Sequence, residues 1–338
     1  MEKWYTKEGI CVTEQFEYLK KAGSSKFTDR HIKKAADLLE HWNGKQIEGA
    51  ALIGAPLSKP SISHSGASFT PNVIRNLLQS YTTYAIDENI NLNNTIVDCG
   101  DIYMHVTDLI QSQNRIKKTM EELCTTNPQM IPILLGGDHS VSYPSIEGFS
   151  KVKGKVGIIQ FDAHHDLRNL KDGGPSNGTP FRSLIESGVI KGDQLVQIGI
   201  RNFSNSQVYR EYAEKQGVTI YTMKDVRNQS IQAIINDSIE QLKNKVDIIY
   251  ISVDMDVLDQ TFAPGCPAIG PGGMDSYTLL EAIQLLGEEN LVQGMDIVEI
   301  DPTLDFRDMT SRVAVHVILS FLLSKSNKNK KHINQFTK

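Results

Sequence analysis

The sequence predicts an α/β fold built on a mostly parallel sheet, and three observations predict it. Short apolar runs recur from Ala50 onward, each bounded by Gly, Pro or Asp. Amphipathic segments long enough to be helices lie between many of them, the alternation expected of βα units. Most of the runs are near-continuously apolar rather than alternating, as strands covered on both faces should be. No Pro/Gly/Ser-rich linker and no repeat period interrupts the series, which argues for a single domain in a chain of 338 residues.

In chain order, residues 1–48 are polar and mixed in charge. The spacing of Ile32, Ala35, Ala36, Leu38 and Leu39 predicts a helix around Asp29–Trp42, so this segment reads as an N-terminal helical extension packed on a body. The body covers residues 49–323. Its strands are expected at Ala50–Ala55, Ile96–Gly100, Ile131–Leu135, Val156–Phe161, Leu195–Ile200, Val218–Tyr221, Ile248–Val253 and Leu291–Ile300. Its clearest helices are expected at Thr107–Cys124, Tyr143–Phe149, Ser206–Gln216, Ile231–Lys243, Ser276–Leu286 and Ser311–Leu323. Residues 324–338, polar and rich in Lys and Asn, read as a disordered tail.

Hydrophobic residues make up 40% of the chain and charged residues 22%, an ordinary globular composition that excludes disorder over the body. With 35 Lys and Arg against 40 Asp and Glu, the net charge is −5, so no nucleic-acid or membrane partner is expected. Cys11, Cys99, Cys124 and Cys266 are scattered without metal-ribbon spacing and read as free thiols. The first residues lack an apolar leader, and the apolar stretch Val313–Leu323 is too short to span a bilayer, which points to a soluble, cytoplasmic protein.

In open α/β sheets ligands gather at the carboxyl ends of the strands. Three of those ends carry unusual chemistry: Gly136-Gly137-Asp138-His139, Asp162-Ala163-His164-His165-Asp166-Leu167-Arg168, and Asp254-Met255-Asp256. Side chains alternate along an extended chain, so Asp162, His164 and Asp166 can share one side, as can Asp254 and Asp256. With His139 they make four carboxylates and two imidazoles, a set that repels itself severely unless cations neutralise it. Two divalent ions are the economical solution. Carboxylate with some imidazole suits Mn²⁺, Mg²⁺ or Fe²⁺ better than a structural zinc site; Mn²⁺ leads that order and Zn²⁺ stays open.

These stretches resemble the ureohydrolase family, the arginase and agmatinase group, whose marks are GGDH, DAHxD and SxDxD followed by a Pro-Gly segment. All three are present, in a match from about Ala50 to Leu323 that includes Gly66–Arg75 and Asp296–Pro302. The resemblance implies a single catalytic domain, a three-layer α/β/α sandwich around an eight-stranded, mostly parallel sheet, a pair of Mn²⁺ ions and a homo-oligomer. It also implies that His139, Asp162, Asp166 and Asp254 hold one ion and Asp162, His164, Asp254 and Asp256 the other.

Two such ions can share a water, lower its pKa and present a hydroxide to a bound electrophile, so hydrolysis is the natural reaction. The resemblance assigns Glu299 to the cationic N–H edge of an amidine or guanidine. Asp166 is the expected proton carrier to the departing amine, which leaves too slowly as an anion. Asn177 stands where arginases and agmatinases carry a loop histidine, and an amide cannot shuttle protons, so either His165 or solvent substitutes or the substrate does not need that step. Asn177-Gly178-Thr179-Pro180-Phe181-Arg182, with Arg168, resembles the formimidoylglutamase branch of the family. Its small-molecule substrate carries two carboxylates, which arginine forks suit; Arg182 is the first choice, with Arg168 and Arg201 beside it. Alternative readings are an agmatinase or other guanidino-acid ureohydrolase, a catalytically silent metal-binding relative, and a zinc-dependent amide deacetylase.

Overall fold

The structure is a computed structural model that describes residues 29–336, with side chains described through residue 326. Strands β1 (Leu39–His41), β2 (Gly49–Ala55), β5 (Ile96–Asp101), β6 (Met130–Gly136), β7 (Val156–Phe161), β8 (Leu195–Ile200), β9 (Thr219–Thr222), β10 (Ile248–Asp254) and β11 (Val292–Val298) form one sheet; β3 (Tyr84–Ala85) and β4 (Ile90–Asn91) make a small antiparallel ribbon. The nine strands run in the order β1-β5-β2-β6-β11-β10-β7-β8-β9, every pairing parallel. All eight strands expected from the apolar runs are present, within a residue or two at their ends.

Two layers of helix cover the sheet. Helices α1 (Thr70–Leu77), α6 (Met223–Asn228), α7 (Ile231–Leu242), α8 (Ser276–Gly287) and α9 (Met309–Phe336) put their buried apolar residues into one core. Helices α2 (Leu109–Thr126), α3 (Ser142–Lys153), α4 (Pro180–Glu186) and α5 (Gln207–Gln216) build the core on the other face. The strands feed both: Ile159 and Phe161 of β7 belong to the first core, Val156 and Ile158 to the second. Local sequence sets the helix starts. Asp108, Ser206, Ser230 and Asp275 each accept a hydrogen bond from a first-turn backbone N–H, and Pro71 and Pro180 occupy first-turn sites where a missing N–H costs nothing.

Three expectations need correction. The helix placed over Asp29–Trp42 is reduced to a short 3₁₀ turn, Ala35–Leu38, and Leu39–His41 continues as β1. An apolar stripe of one turn is too short to hold a helix, whereas pairing with Ile96–Asp98 of β5 satisfies the backbone and covers an open sheet edge. This strand, absent from the expected set, makes the sheet nine-stranded rather than eight-stranded. The rest of the proposed extension, residues 1–28, and Cys11 with it, lie outside the described residues. The backbone of the polar tail is not irregular up to Phe336, because α9 carries on through it. No helix among the described residues is long and apolar enough to cross a membrane.

Candidate metal centre and active-site cavity

The four central strands β6, β11, β10 and β7 are neighbours, and their carboxyl ends carry the side chains singled out from the sequence. After β6 the chain turns through Gly137, where a Cβ would strike the Leu57 carbonyl, so only glycine lets the strand end pass this close to the neighbouring loop. His139 follows. Its Nδ1 lies 3.2, 2.8 and 3.1 Å from carboxylate oxygens of Asp162, Asp166 and Asp254. His164, after β7, places Nδ1 3.4 Å from Asp162 and 2.9 Å from Asp256.

Ligand-type atoms of His139, Asp162, Asp166 and Asp254 come within 4.8 Å of one another, as do those of Asp162, His164 and Asp256. All six expected ligands therefore meet in two adjoining groups. Asp162 belongs to both groups, and Asp254 to the first. His139 Nδ1 is buried and, despite its three carboxylate neighbours, has no hydrogen-bond partner. A buried donor or acceptor left in that state is costly, and convergence of anionic oxygens on a bare imidazole nitrogen is the arrangement a divalent cation relieves.

The electrostatics report the same crowding. Burial pushes the Asp254 carboxyl well above the carboxylate range, and Asp256 and Asp162 push it further. Burial, then Asp162, raises Asp166 to about 6. Burial opposes ionisation of Asp162 too, but His139 and His164 outweigh it and hold that carboxyl below its ordinary value. The Asp256 charge, above all, drives His164 up to about 12. For His139, burial disfavours the cation, yet its three carboxylates prevail and raise it well above the usual imidazole value.

Asp166 (φ 51°) and Glu299 (φ 60°) both adopt the left-handed backbone conformation that non-glycine residues avoid. Glu299 is 4% exposed and accepts hydrogen bonds from the His139 N–H (2.8 Å) and Asn177 Nδ2 (3.1 Å). Burial and the neighbouring Asp138 raise its carboxyl to about 8. Asn177 also accepts from Ile62 N–H at 2.9 Å, so it ties the loop before α1 to Glu299.

A cavity of about 270 Å³ opens over this cluster. His164, Asp166, Asp254, Asp256 and Glu299 line its acidic end, and Arg168, Ser204, Asn205, Ser206 and Tyr209 line another part of the wall. Arg168 is exposed and makes no side-chain hydrogen bond or ion pair among the described residues. Gly178 makes room for it, since a Cβ there would lie 2.6 Å from Arg168 Cδ. The other two candidate arginines do not line this cavity. Arg182 pairs with Glu186 at 2.5 Å and stacks over the Tyr212 ring at 3.6 Å, a helix-surface arrangement set by the i,i+4 spacing of α4. Arg201 is buried and donates to the carbonyls of Gly270 and Leu258, bracing the loop that follows β10.

The sequence reading passed over a buried polar row one layer beneath the site. Asp296 of β11 is the register partner of Ser252 of β10, Ser252 of Gln160 of β7, and Gln160 of Gln197 of β8; all four are fully buried. Ser252 Oγ lies 3.0 Å from His139 Nε2 and donates to Asp296 at 2.7 Å. Gln160 donates to Asp162 at 2.6 Å. The signal was one polar residue near the same end of each of four apolar runs.

The arginase family model matches residues 48–324. A formimidoylglutamase of Halalkalibacterium halodurans is 60% identical over 315 residues, covering 93% of this chain and 98% of the relative. A formimidoylglutamase of Bacillus subtilis is 50% identical over 311 residues, covering 91% and 97%. The crystal structure of formimidoylglutamase from Bacillus subtilis superposes with a TM-score of 0.90 at 49% identity, covering 93% of this chain and 98% of that one. With candidate ligand clusters at the ends of a parallel sheet and a family match across nearly the whole body, the chain belongs to the arginase family.

Proposed function

We propose that this chain hydrolyses the formimino group of N-formimidoyl-L-glutamate, consuming one water and releasing formamide and L-glutamate. The observation that carries the reading is the polarity of the cavity. One part is lined by carboxylates and imidazoles, the other by the unpaired guanidinium of Arg168 among hydroxyl and amide groups. A substrate cationic at its amidine and anionic at its carboxylates matches that division, and the two relatives described above bear the corresponding name.

A pair of Mn²⁺ ions, held by His139, Asp162, His164, Asp166, Asp254 and Asp256, would supply Lewis acidity and lower the pKa of a water. The residues do the rest. Glu299 is fixed by His139 and Asn177 with its carboxyl at the cavity wall, where it can accept from an amidinium N–H. Addition of water to the amidine carbon gives a tetrahedral species whose collapse needs a proton on the leaving nitrogen. Asp166, held in the left-handed conformation at the cavity wall, carries that proton. Arg168 contacts the substrate carboxylates. The reading extends to a cytoplasmic homo-oligomer; Cys99, Cys124 and Cys266 are free thiols, as suits a reducing compartment.

A second reading, hydrolysis of a guanidino acid, would use the same two parts of the cavity and release urea. Mn²⁺-loaded protein assayed against formimidoylglutamate, agmatine, arginine and guanidinobutyrate, with glutamate and urea measured separately, tests both. Glutamate release from the first substrate without urea from the others is expected, and an Arg168→Ala variant should raise its KM about 10- to 100-fold. Turnover confined to a urea-releasing substrate would overturn the proposal.

A further inference from the structure

The polar row beneath the site carries a direction that can be read atom by atom. Gln160 Nε2 faces two acceptors, Asp162 Oδ2 at 2.6 Å and the His164 carbonyl at 3.3 Å, so its amide nitrogen must lie on that side. Gln160 Oε1 is then left to accept, and Gln197 Nε2 donates to it at 2.6 Å. The same Gln197 nitrogen donates to the His165 carbonyl at 2.8 Å, which fixes the second amide as firmly as the first. Gln197 Oε1 is therefore an acceptor, and it stands 2.6 Å from His165 Nδ1. Only a proton on Nδ1 joins those two atoms.

His165 is 2% exposed and lines the cavity between His164 and Asp166. Its backbone is pinned as well, the N–H donating to Asn205 Oδ1 at 2.8 Å while Asn205 Nδ2 returns a bond to the Ala163 carbonyl. No side-chain partner for His165 Nε2 exists among the described residues. A ring with its one proton on Nδ1 presents Nε2 as a bare acceptor. An amidinium offers only N–H groups, the complement of such an acceptor.

We propose that Gln160 and Gln197 are positioning residues that hold His165 as its Nδ1–H tautomer, so that its bare Nε2 accepts a hydrogen bond from an N–H of the amidine substrate. The contact to substrate rests on the proposed function; the tautomer does not. The hydrogen-bond chain begins at Asp162, so the same row that orients a cluster carboxylate also orients the ring beside it.

Histidine-labelled full-length protein, loaded with diamagnetic Zn²⁺ at pH 8, reports the tautomer through long-range proton–nitrogen correlations, with His165→Gln identifying the signals. The expected spectrum has a protonated Nδ1 and an unprotonated Nε2 at His165. Gln197→Met should move the proton to Nε2 and lower kcat/KM of the Mn²⁺ enzyme for formimidoylglutamate about 10- to 100-fold, with metal content unchanged. His165→Gln, which keeps an acceptor, should retain more kcat/KM than His165→Leu. A proton on Nε2 in the unaltered protein, or on both nitrogens, would overturn the proposal. So would a Gln197→Met variant whose ring changes tautomer while kcat/KM stays the same. Should Gln197→Met fail to fold, the spectrum of the unaltered protein and the two His165 variants decide. A bare Nε2 in a protein that leaves formimidoylglutamate intact would overturn the substrate contact and the proposed function together, while upholding the hydrogen-bond chain.

Discussion

Two adjacent rows of residues cross the same four strands at nearly the same depth and do opposite things. Met295, Ile251, Ile159 and Val196 form one row, in register, facing the core shared with α7, α8 and α9. One residue further along each strand, Asp296, Ser252, Gln160 and Gln197 face the other way. Both rows are buried to within 1%. The apolar row gains from simple exclusion of water, about 1.5–3 kcal/mol for each large side chain. The polar row must recover a desolvation penalty bond by bond, and it does so by reaching up into the loops that carry His139, Asp162 and His165. At this depth the two faces thus differ, although each carries an apolar core elsewhere: one row stabilises, the other aims side chains. Among the described residues, the buried side-chain atoms without a hydrogen-bond partner belong to Asp138, His139, Ser140, Ser142 and Asp296, which are the turn entering α3 and one end of the polar row.

The largest effect that sharpens this contrast is expected from Asp254→Asn. Turnover should fall by roughly 10³-fold or more as the carboxylate cluster loses a member, and bound metal should fall with it. Stability should move the other way in chelator. The Asp254 carboxyl is raised well above its ordinary value in the fold, by burial and by Asp256 and Asp162, so its ionisation weakens the native state at every pH above the normal carboxylate range. The Asn variant escapes that cost, and metal-free protein at pH 8 should melt no lower than its parent. Unchanged metal content measured after dialysis would remove Asp254 from the centre.

Ser252→Ala comes next. It deletes the hydroxyl that joins His139 Nε2 to Asp296 and leaves a buried carboxylate with fewer partners. Metal affinity, measured by competition with a chelator, should drop about 10- to 100-fold, the usual consequence of losing the group that orients a ligating histidine. Wild-type metal affinity in that variant would reduce the polar row to filler.

Most of the fold was legible because its signals are local. Runs such as Ile248–Val253 are apolar on both faces and bounded by acidic or glycine residues, and they fold as the strands they resemble. The candidate ligands were legible in part, since they follow those runs directly, but turns rather than extended alternation gather them: Asp256 sits in a 3₁₀ turn, Met255–Val257, and Asp166 is left-handed. What escaped depends on distant partners. Leu39–His41 is a strand only because the edge of β5 is free to pair with it. Arg182 and Arg201 are sequence-plausible clamps, yet Glu186 with Tyr212 occupies one guanidinium and two loop carbonyls the other. Gln160 and Gln197 lie 37 residues apart and acquire meaning only when β7 and β8 pair in register.

The smallest expected effect tests the comparison at its closest point. Ile251 precedes Ser252 in β10, is fully buried, and points to the apolar core rather than toward His139. Ile251→Val removes one methylene from a site where neighbouring side chains relax only in part, at a cost of about 0.5–1.5 kcal/mol. In a chain of this size that lowers Tm by roughly 1–3 °C. If the two rows act separately, kcat/KM and metal affinity stay within about twofold of the parent, because the backbone of β10 is held by β7 and β11 on both sides and its displacement should not reach the Ser252 hydroxyl. A tenfold loss of metal affinity in Ile251→Val, measured alongside Ser252→Ala, would mean that packing on the apolar face sets the geometry of the centre through the strand itself, and the division of labour between the faces would fail.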